Sequence, residues 1–287
     1  MNYKTEEAIT EFIKAAIAED VGPGDYSSLA SIPPRTTSSA QLVMKSSGII
    51  AGIELSEKIF HFVDTSLQLN FFKKDGNYAK EGEVVLSVSG SAQSILTAER
   101  LVLNCMQRMS GIATYTRFLS DKIEKYKAKV LDTRKTTPNF RMMEKWAVMI
   151  GGGQNHRFAL YDMVMLKDNH VDFAGGIDQA IEATQEYLKE NKLDLQVEIE
   201  TRSLDEVKQV MAKGGVDFIM LDNMSVEEMT EAVKLINGKV KTEASGGITE
   251  ETIENIAATG VDFISVGALT HSYKSLDMSL KAVVKKV

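Results

Sequence analysis

Hydrophobic and polar positions in the second half of the chain recur in a strand, loop and helix order. Six short segments each contain apolar residues and end with a polar or small residue: KVLDTR at 129–134, DMVMLK at 162–167, LQVEIE at 195–200, VDFIMLD at 216–222, VKTEAS at 240–245 and VDFISVG at 261–267. Between these segments, apolar residues recur at the spacing of a helix, for example at Ile177, Ile181 and Leu188. The motifs SLDE and SVEE predict helix starts at Ser203 and Ser225. Such alternation predicts a parallel sheet, either closed or open.

The repeated units indicate the fold class of this half. The phrase GVDFI occurs twice, at Gly215 and Gly260, which points to a quasi-repeating architecture. About six strands are found, fewer than the eight of a complete (β/α) barrel. We therefore predict an α/β fold with an incomplete (β/α) barrel of about six parallel strands over residues 113–270.

The first part of the chain has a different pattern. Apolar residues from Ile9 to Ile17 recur at helical spacing, and residues 36–90 alternate short β-type runs with glycines. A long helix is predicted from Ser94 to Tyr126, with a possible break at Gly111. These elements predict an N-terminal α+β, sandwich-like domain over residues 1–112, joined by a C-terminal helix at about 271–287.

Composition narrows the class of protein. The 287 residues are 44% hydrophobic and 25% charged, and the formal net charge of -7 argues against a general attraction to nucleic acid or anionic lipid. No apolar run approaches the roughly 18 residues that a membrane span requires. The first residues do not have the pattern of a signal peptide. Cys105, the only cysteine, is predicted to be buried and fits a reducing compartment, so we expect a cytoplasmic protein.

Charged and small residues stand at the ends of the predicted strands. In a parallel barrel the carboxyl ends of the strands meet at one rim, where the chemistry of such folds occurs. In chain order these ends carry Arg134 and Lys135, then Lys167, Glu200, Asp222, Ser245 and Gly267.

Residues 134–170 form a local positive cluster in an acidic chain. They contain six Lys or Arg residues, three acids and two of the four histidines, His156 and His170. Arginine binds carboxylate or phosphate at two points, and lysine acts as a point charge. The cluster therefore predicts a small, highly charged anion as ligand. Arg141 and Lys145, on a helix, are expected to face solvent instead.

The remaining strand ends suggest a metal and a phosphate. Glu200 and Asp222 end neighbouring strands, and two carboxylates among cations suit Mg²⁺ held largely through substrate phosphates. Pairing of these acids with Lys167 or Arg134 is an equally open alternative. Glycines in EASGGIT and SVGAL can expose backbone N–H groups to a phosphate. Together these features predict a barrel enzyme that acts on a phosphorylated sugar and a second, anionic substrate.

Several motifs resemble one family over essentially the whole chain. TRKTTPNFR, GGGQNHRFALYDMVMLKDNH, VEIE, LDN and EASGGIT, with EDVGPGD near the start, are similar to quinolinate phosphoribosyltransferases, the carboxylating nicotinate-nucleotide pyrophosphorylases. The resemblance implies a pentosyltransferase that converts quinolinate and phosphoribosyl pyrophosphate into nicotinate mononucleotide, pyrophosphate and carbon dioxide. It also implies magnesium and a place in NAD biosynthesis.

The resemblance implies roles for individual residues. Lys135, Lys167, Glu200 and Asp222 would be catalytic, and Glu200 and Asp222 would also hold the metal. The residues implied to bind substrate are Arg100, Thr133, Arg134, Lys135, His156, Arg157, Lys167, Glu200, Asp222, Ser245, Gly246, Gly247, Ser265, Val266 and Gly267. Of these, Arg134, His156 and Arg157 would bind the quinolinate carboxylates.

Other implications concern assembly and loops. Arg100 matches an arginine that the family supplies to a neighbouring active site, so a homodimer is implied, with a hexamer as the alternative. Asn139 stands where the family commonly has glycine, and asparagine tolerates a positive φ. Asp168, Asn169 and His170 are interpreted as structural.

Two other functions remain open at this stage. A related enzyme could transfer phosphoribosyl to nicotinate without decarboxylation. A family-like paralog could instead bind a metabolite or serve molybdenum uptake.

Overall fold

The computed structural model describes residues 3–283. Its helices are α1 Glu6–Asp20, α2 Tyr26–Ser31, α3 Ile53–Val63, α4 Ala92–Lys122, α5 Arg141–Ile150, α6 Asp168–Ala174, α7 Ile177–Glu190, α8 Leu204–Lys213, α9 Val226–Ile236, α10 Ile253–Ala258 and α11 Ala268–His271. Its strands are β1 Thr37–Met44, β2 Gly48–Ile49, β3 Gln68–Phe71, β4 Tyr78–Ala79, β5 Val84–Ser91, β6 Lys129–Leu131, β7 Val164–Leu166, β8 Val197–Thr201, β9 Phe218–Asp222, β10 Lys241–Ser245, β11 Phe263–Ser265 and β12 Met278–Ala282.

The described chain divides into two compact units. The barrel unit comprises residues 118–135 and 153–267, and the second unit comprises the remaining described residues.

All six predicted strands are present in the barrel unit. They form one parallel sheet in the order β6-β11-β10-β9-β8-β7. The first strand pairs with the last, as in a barrel, but within residues 3–283 no ladder joins β6 to β7. The predicted incomplete barrel is therefore confirmed, and its sheet is open between β6 and β7.

The strand registers show which side chains share a face of the barrel sheet. Residues in register on neighbouring parallel strands share a face, and this face recurs at every second position. Phe218 and Phe263 lie near the amino ends of β9 and β11, with ring centroids 6.0 Å apart. Glu243 is in register with Phe263, and Glu198 is in register with Phe218. Each of these acids therefore stands beside an aromatic residue of the neighbouring strand, on the same face of the sheet.

The second unit confirms the predicted α+β character of the N-terminal part. Its main sheet is antiparallel, in the order β12-β1-β5-β3. Helix α1 is capped by Thr5, whose hydroxyl accepts the Ala8 N–H, and it buries Ile9 and Ile13 as predicted. A short helix that the sequence analysis did not predict, α3, follows β2.

The predicted C-terminal helix is wrong within the described residues. Residues Met278–Ala282 form β12, which pairs antiparallel with β1 from Met44↔Met278 to Ala40↔Ala282. The free edge of β1 supplies hydrogen-bond partners that override the local preference of this segment for a helix. Residues 284–287 of the predicted helix lie outside the described residues.

Helix α4 continues through Gly111 without the predicted break. A side chain at this position would collide with the carbonyl of Lys274, so glycine permits close backbone approach and does not end the helix. The helix also passes the predicted boundary at residue 112, and its residues through 117 group with the second unit.

Residues 136–152 belong to the second unit, although the predicted boundary assigned them to the barrel. They contact helix α1, where Phe12 and Phe140 meet edge to face at 5.5 Å. The expectation that Lys145 faces solvent is wrong, since this side chain is fully buried. Helix α5 is buried at each position from Met143 to Val148, so it has no solvent face there.

Two expectations, one about the burial of Cys105 and one about membrane spans, can be compared with the structure. Cys105 is buried as predicted, and this burial raises the pKa of its thiol to about 12. Within residues 3–283, no helix combines the length and the apolar character that crossing a membrane would need.

Candidate active site

Charged side chains from separate strands converge at the carboxyl ends of the barrel sheet. Glu200 lies near the end of β8 and Asp222 ends β9. Ser245 ends β10 and is in register with Asp222. Lys167 directly follows β7 and stands before helix α6. The parallel direction of the strands thus gathers residues that are far apart in sequence.

Two guanidinium groups approach each other at this rim. Arg134 follows β6, and Arg157 lies in the loop before β7. Burial lowers the pKa of Arg157, and the positive charge of Arg134 lowers it further. Like charges are held together at a cost, and an anion bound between them would remove that cost. This pair is therefore suited to a ligand with at least two negative charges.

Two carboxylates place negative charge at the same rim. Burial raises the pKa of Glu200, and the nearby Asp222 carboxylate raises it further. Lys167 lies close enough to oppose this shift, but it does not cancel it. Asn223 donates from Nδ2 to Asp222 at 2.7 Å. Two neighbouring carboxylates of this kind suit a divalent cation or a developing positive charge.

The loop after β10 brings backbone close to these acids. Gly246 has φ +97°, and a side chain at this position would collide with Asn223. Gly247 also has a positive φ, +58°, but open space surrounds the position of its absent side chain. The Asn223 N–H donates to the Ser245 carbonyl at 2.9 Å, which joins the two loops. Only glycine fits at position 246, both for its conformation and for the contact with Asn223.

A buried cluster lies beneath the rim, inside the barrel. Nε2 of His156 lies 2.9 Å from Glu198 Oε2 and 3.4 Å from Glu243 Oε2. Although burial lowers the pKa of His156, hydrogen bonds that its ring donates to both carboxylates raise the pKa to about 10. Burial and the charge of Glu243 raise the pKa of Glu198 to about 7. The imidazole of His156 therefore contacts both buried carboxylates at once.

Matches to known families cover both units. A family model described as "Quinolinate phosphoribosyl transferase, C-terminal domain" matches residues 112–281, and its N-terminal counterpart matches residues 25–110. The chain belongs to the quinolinate phosphoribosyltransferase family.

Curated relatives are similar over most of their length. The chloroplastic nicotinate-nucleotide pyrophosphorylase [carboxylating] of Arabidopsis thaliana is 49% identical over 284 residues, which cover 94% of this chain and 81% of that protein. The probable nicotinate-nucleotide pyrophosphorylase [carboxylating] of Bacillus subtilis is 44% identical over 91% of this chain and 89% of that protein.

Solved structures share the fold of this chain. NadC from Streptococcus pyogenes has a TM-score of 0.91 and 40% identity, with 98% of each chain covered. Human nicotinic acid phosphoribosyltransferase has a TM-score of 0.63 over 95% of this chain and 74% of that one. At 12% identity, this second likeness concerns the fold alone.

Other residues that the family resemblance implicated lie in varied settings. Arg100 is exposed on α4, and Lys135 is exposed in the loop after β6. The Thr133 hydroxyl accepts the Lys135 N–H at 3.0 Å and so shapes this loop. Ser265 and Val266 are buried, and the Val266 N–H donates to the Leu131 carbonyl at 2.9 Å.

Two expectations about loop residues, one for His170 and one for Asn139, can be compared with the structure. His170 accepts the Lys167 N–H on Nδ1 at 3.0 Å, so it caps the start of α6, as expected for a structural residue. Asn139 has φ +63°, the left-handed conformation that asparagine was expected to tolerate at this position.

Sequence reasoning missed Glu198, Glu243 and Asp132. Glu198 precedes Glu200 by two positions and Glu243 precedes Ser245 by two, so each shares the inward face of a strand-end residue. This two-residue period of a strand is the signal that could have identified Glu198 and Glu243 from the sequence. Asp132 follows β6 directly, and its carboxylate accepts the His156 N–H at 2.9 Å.

Proposed function

We propose that this chain transfers the phosphoribosyl group of phosphoribosyl pyrophosphate to quinolinate, with decarboxylation. The products are nicotinate mononucleotide, pyrophosphate and carbon dioxide, a step of NAD biosynthesis. One observation carries the proposal: in a member of this family, the Arg134 and Arg157 pair stands at the same barrel rim as the Glu200 and Asp222 pair.

The cations bind the anionic substrates. Quinolinate carries two carboxylates on adjacent ring carbons, and two arginine forks can each bind one of them. Arg134 and Arg157 take this role together with His156, which directly precedes Arg157 in the sequence. Lys135 and Lys167 are exposed point charges that attract the dicarboxylate and the pyrophosphate.

The acids stabilise the reacting sugar. The bond from ribose C1′ to pyrophosphate breaks, and the ring nitrogen of quinolinate forms the new bond to C1′. Positive charge develops on the ribose during this exchange. Glu200 and Asp222 provide fixed negative charge where that positive charge develops, which lowers the barrier.

The phosphate groups have a separate binding surface. Ser245 ends β10, Gly246 and Gly247 follow it, and Gly267 stands just after β11, so two turns of neighbouring strands lie at this rim, where backbone N–H groups can bind phosphate. Ser265 and Val266 position the second of these turns from within the sheet.

A divalent metal fits the two acids. Glu200 and Asp222 approach closely enough for each to affect the other, and Mg²⁺ prefers such oxygen donors together with substrate phosphates. These two residues would hold it. When bound, the metal neutralises the charge of the departing pyrophosphate.

Decarboxylation follows the transfer. The carboxylate next to the ring nitrogen leaves as carbon dioxide, and its bonding electrons remain on the ring carbon. The positively charged nitrogen of the new nucleotide stabilises this carbanion, and a proton then replaces the carboxylate. The protein needs mainly to orient the ring and to exclude water.

A turnover assay tests the function. Purified protein is given phosphoribosyl pyrophosphate with quinolinate labelled in the carboxylate next to the ring nitrogen, with and without magnesium. We expect one labelled carbon dioxide for each nicotinate mononucleotide formed. Turnover of nicotinate without carbon dioxide would favour the non-decarboxylating enzyme, and no turnover of either would favour a binding paralog.

We also propose a homodimer, with further assembly into a hexamer as the alternative, in which Arg100 reaches the active site of the neighbouring subunit. Its exposed position on α4 leaves it available for such a contact. Mixing inactive Arg100→Ala and Asp222→Asn subunits tests this, because half of random dimers would regain one intact site. Recovery of about a quarter of wild-type activity is expected, and no recovery would contradict a shared site.

The cytoplasmic location stays a prediction. The names of relatives from Arabidopsis thaliana and Nicotiana tabacum place those proteins in the chloroplast and the mitochondrion, respectively. Cell fractionation with an antibody against the chain would test it.

A further inference from the structure

Two carboxylates are buried inside the barrel, at depths where such folds usually place bulky apolar residues. Glu198 is 0% exposed and Glu243 is 1% exposed. In each of them one oxygen, Oε1, is buried without a hydrogen-bond partner among residues 3–283. Burying a carboxylate costs several kcal/mol unless its surroundings compensate. The proposed chemistry at the rim uses neither residue.

The partner of both acids is His156, which belongs to a segment outside the named strands. Its Nε2 atom contacts each carboxylate, at 2.9 and 3.4 Å. The segment is bound to the edge strand β6, since Gln154 donates from its N–H to the Val130 carbonyl at 2.8 Å. The His156 N–H donates to Asp132 at 2.9 Å. The imidazole therefore anchors this segment inward, on the side where the sheet is open.

Arg157 follows in the same segment. Its Nη1 atom donates to the Met163 carbonyl at 3.2 Å, just before β7. Arg134 repels it, whereas the negative charge of Glu198 attracts it. Without a ligand, this repulsion favours displacement of the Arg157 guanidinium toward solvent. Other contacts must therefore hold Arg157 in place.

We propose that Glu198 and Glu243 are positioning residues, which act through the imidazole of His156 to hold Arg157 beside Arg134 in a geometry that accepts a dicarboxylate. This inference rests on the proposed function, because it assigns the two arginines to quinolinate. Neither acid touches substrate. Their contribution is a fixed place for a cation that the rim chemistry requires.

The same three side chains have the spacing of a metal site, since their ligand atoms lie within 4.8 Å of one another. The structure favours the positioning role, because Nε2 of His156 already makes a hydrogen bond with Glu198 at 2.9 Å. A metal would require that nitrogen to be free of its proton. Metal retention is therefore one outcome that the experiment must exclude.

The test compares Glu198→Gln and Glu243→Gln with the wild-type protein and with Asp262→Asn. Asp262 lies at the opposite end of the barrel sheet, where it accepts both the N–H and the hydroxyl of Thr242 at 3.0 Å. Its loss weakens the same sheet without affecting the rim. For each protein we measure Tm, kcat and the KM of both substrates, and the Kd of quinolinate by calorimetry.

We expect each glutamine variant to raise the Kd and KM of quinolinate about tenfold, with a KM for phosphoribosyl pyrophosphate within about twofold of the wild-type value. Asp262→Asn should lower Tm and leave both KM values unchanged. In an Arg157→Ala background, Glu243→Gln should add no further loss of quinolinate affinity, since residues that act as a unit are not additive. If the glutamine variants do not fold, Glu243→Asp replaces them in the test. It keeps the negative charge but shortens the side chain by one methylene.

Three results would overturn the inference. In the first, quinolinate affinity is unchanged, or it falls in step with Tm as it does in the control. In the second, the losses are additive with Arg157→Ala. In the third, dialysed protein keeps a stoichiometric divalent metal that His156→Gln releases. Wild-type protein that binds no quinolinate would overturn the proposed function and this inference together, whereas equal binding by wild type and variants would overturn only the inference.

Discussion

Nε of Arg108 lies 2.9 Å from Oε1 of Glu144, a carboxylate that is fully buried. The other oxygen of Glu144 accepts the Thr137 N–H at 3.1 Å. The guanidinium of Arg108 also lies over two rings, at 5.1 Å from the centroid of Phe140 and 4.4 Å from that of Tyr273. This ion pair fixes the loop that directly follows Arg134 and Lys135 in sequence.

Glu144→Gln should therefore destabilise the protein by about 2 to 3 kcal/mol, because it leaves the partly buried charge of Arg108 without its partner. Urea unfolding measures the loss. Asp205→Asn is the control, since it breaks a salt bridge between two exposed side chains, Asp205 and Lys208, and it should have little effect. Equal stability of Glu144→Gln and wild type would show that the pair is not structural.

Arg134→Ala and Arg157→Ala should each weaken quinolinate binding by at least about 1.5 to 3 kcal/mol, the range for hydrogen bonds to charged groups. Calorimetry with quinolinate measures this loss. Lys208→Ala, in the exposed part of α8, is the control for a change in net charge. If both arginine variants bound quinolinate as the wild type does, the assignment of the guanidinium pair would be wrong.

Asp222→Asn should lower kcat much more than it lowers quinolinate affinity, because the lost charge acts on the ribose as positive charge develops there. Steady-state kinetics separate the two effects. Loss of quinolinate binding with kcat preserved would contradict an electrostatic role in the transfer step.

Gly246→Ala should be more harmful than Gly247→Ala. Both positions have a positive φ, but only at Gly246 would a side chain also collide with Asn223. The strain of a left-handed alanine costs about 1 to 2 kcal/mol at either position, and the collision adds to it only at Gly246. Thermal unfolding and the KM for phosphoribosyl pyrophosphate measure the difference. Equal effects would indicate that the loop relaxes away from Asn223.

Asp262→Asn should weaken the dependence of stability on acid pH. Burial raises the pKa of Asp262, but hydrogen bonds from Thr242 and Lys127 outweigh it, so the pKa lies below the ordinary value of 3.8. A depressed pKa stabilises the folded state above 3.8, and this stabilisation is lost as pH falls through the folded value. Urea unfolding between about pH 3 and 7 should give a shallower slope for the variant than for wild type. Parallel slopes would contradict the assignment.

The barrel and much of its rim could be predicted because their signals are local. An apolar run followed by a polar residue, as in VDFIMLD, predicts a strand and its end, and parallel direction alone then places Asp222 beside the ends of its neighbours. Local chemistry also sufficed at Asn139, whose left-handed backbone is one that few residue types tolerate.

Other features could not be read from local pattern. Met278–Ala282 became a strand because the edge of β1 was available to pair with it. Lys145 is buried because other elements cover all sides of its helix. Glu198 resembled an ordinary polar residue of a strand until His156, 42 positions earlier, was seen to contact it.

The order of strands and helices, the charge at the strand ends and the family were therefore determined by sequence alone, because they depend on short-range periodicity and on residue type. Tertiary structure decided which acids lie inside the barrel, which cation they support and where the C-terminal segment pairs. Those outcomes depend on groups that are distant in sequence, and their energies arise only when folding removes water from between them.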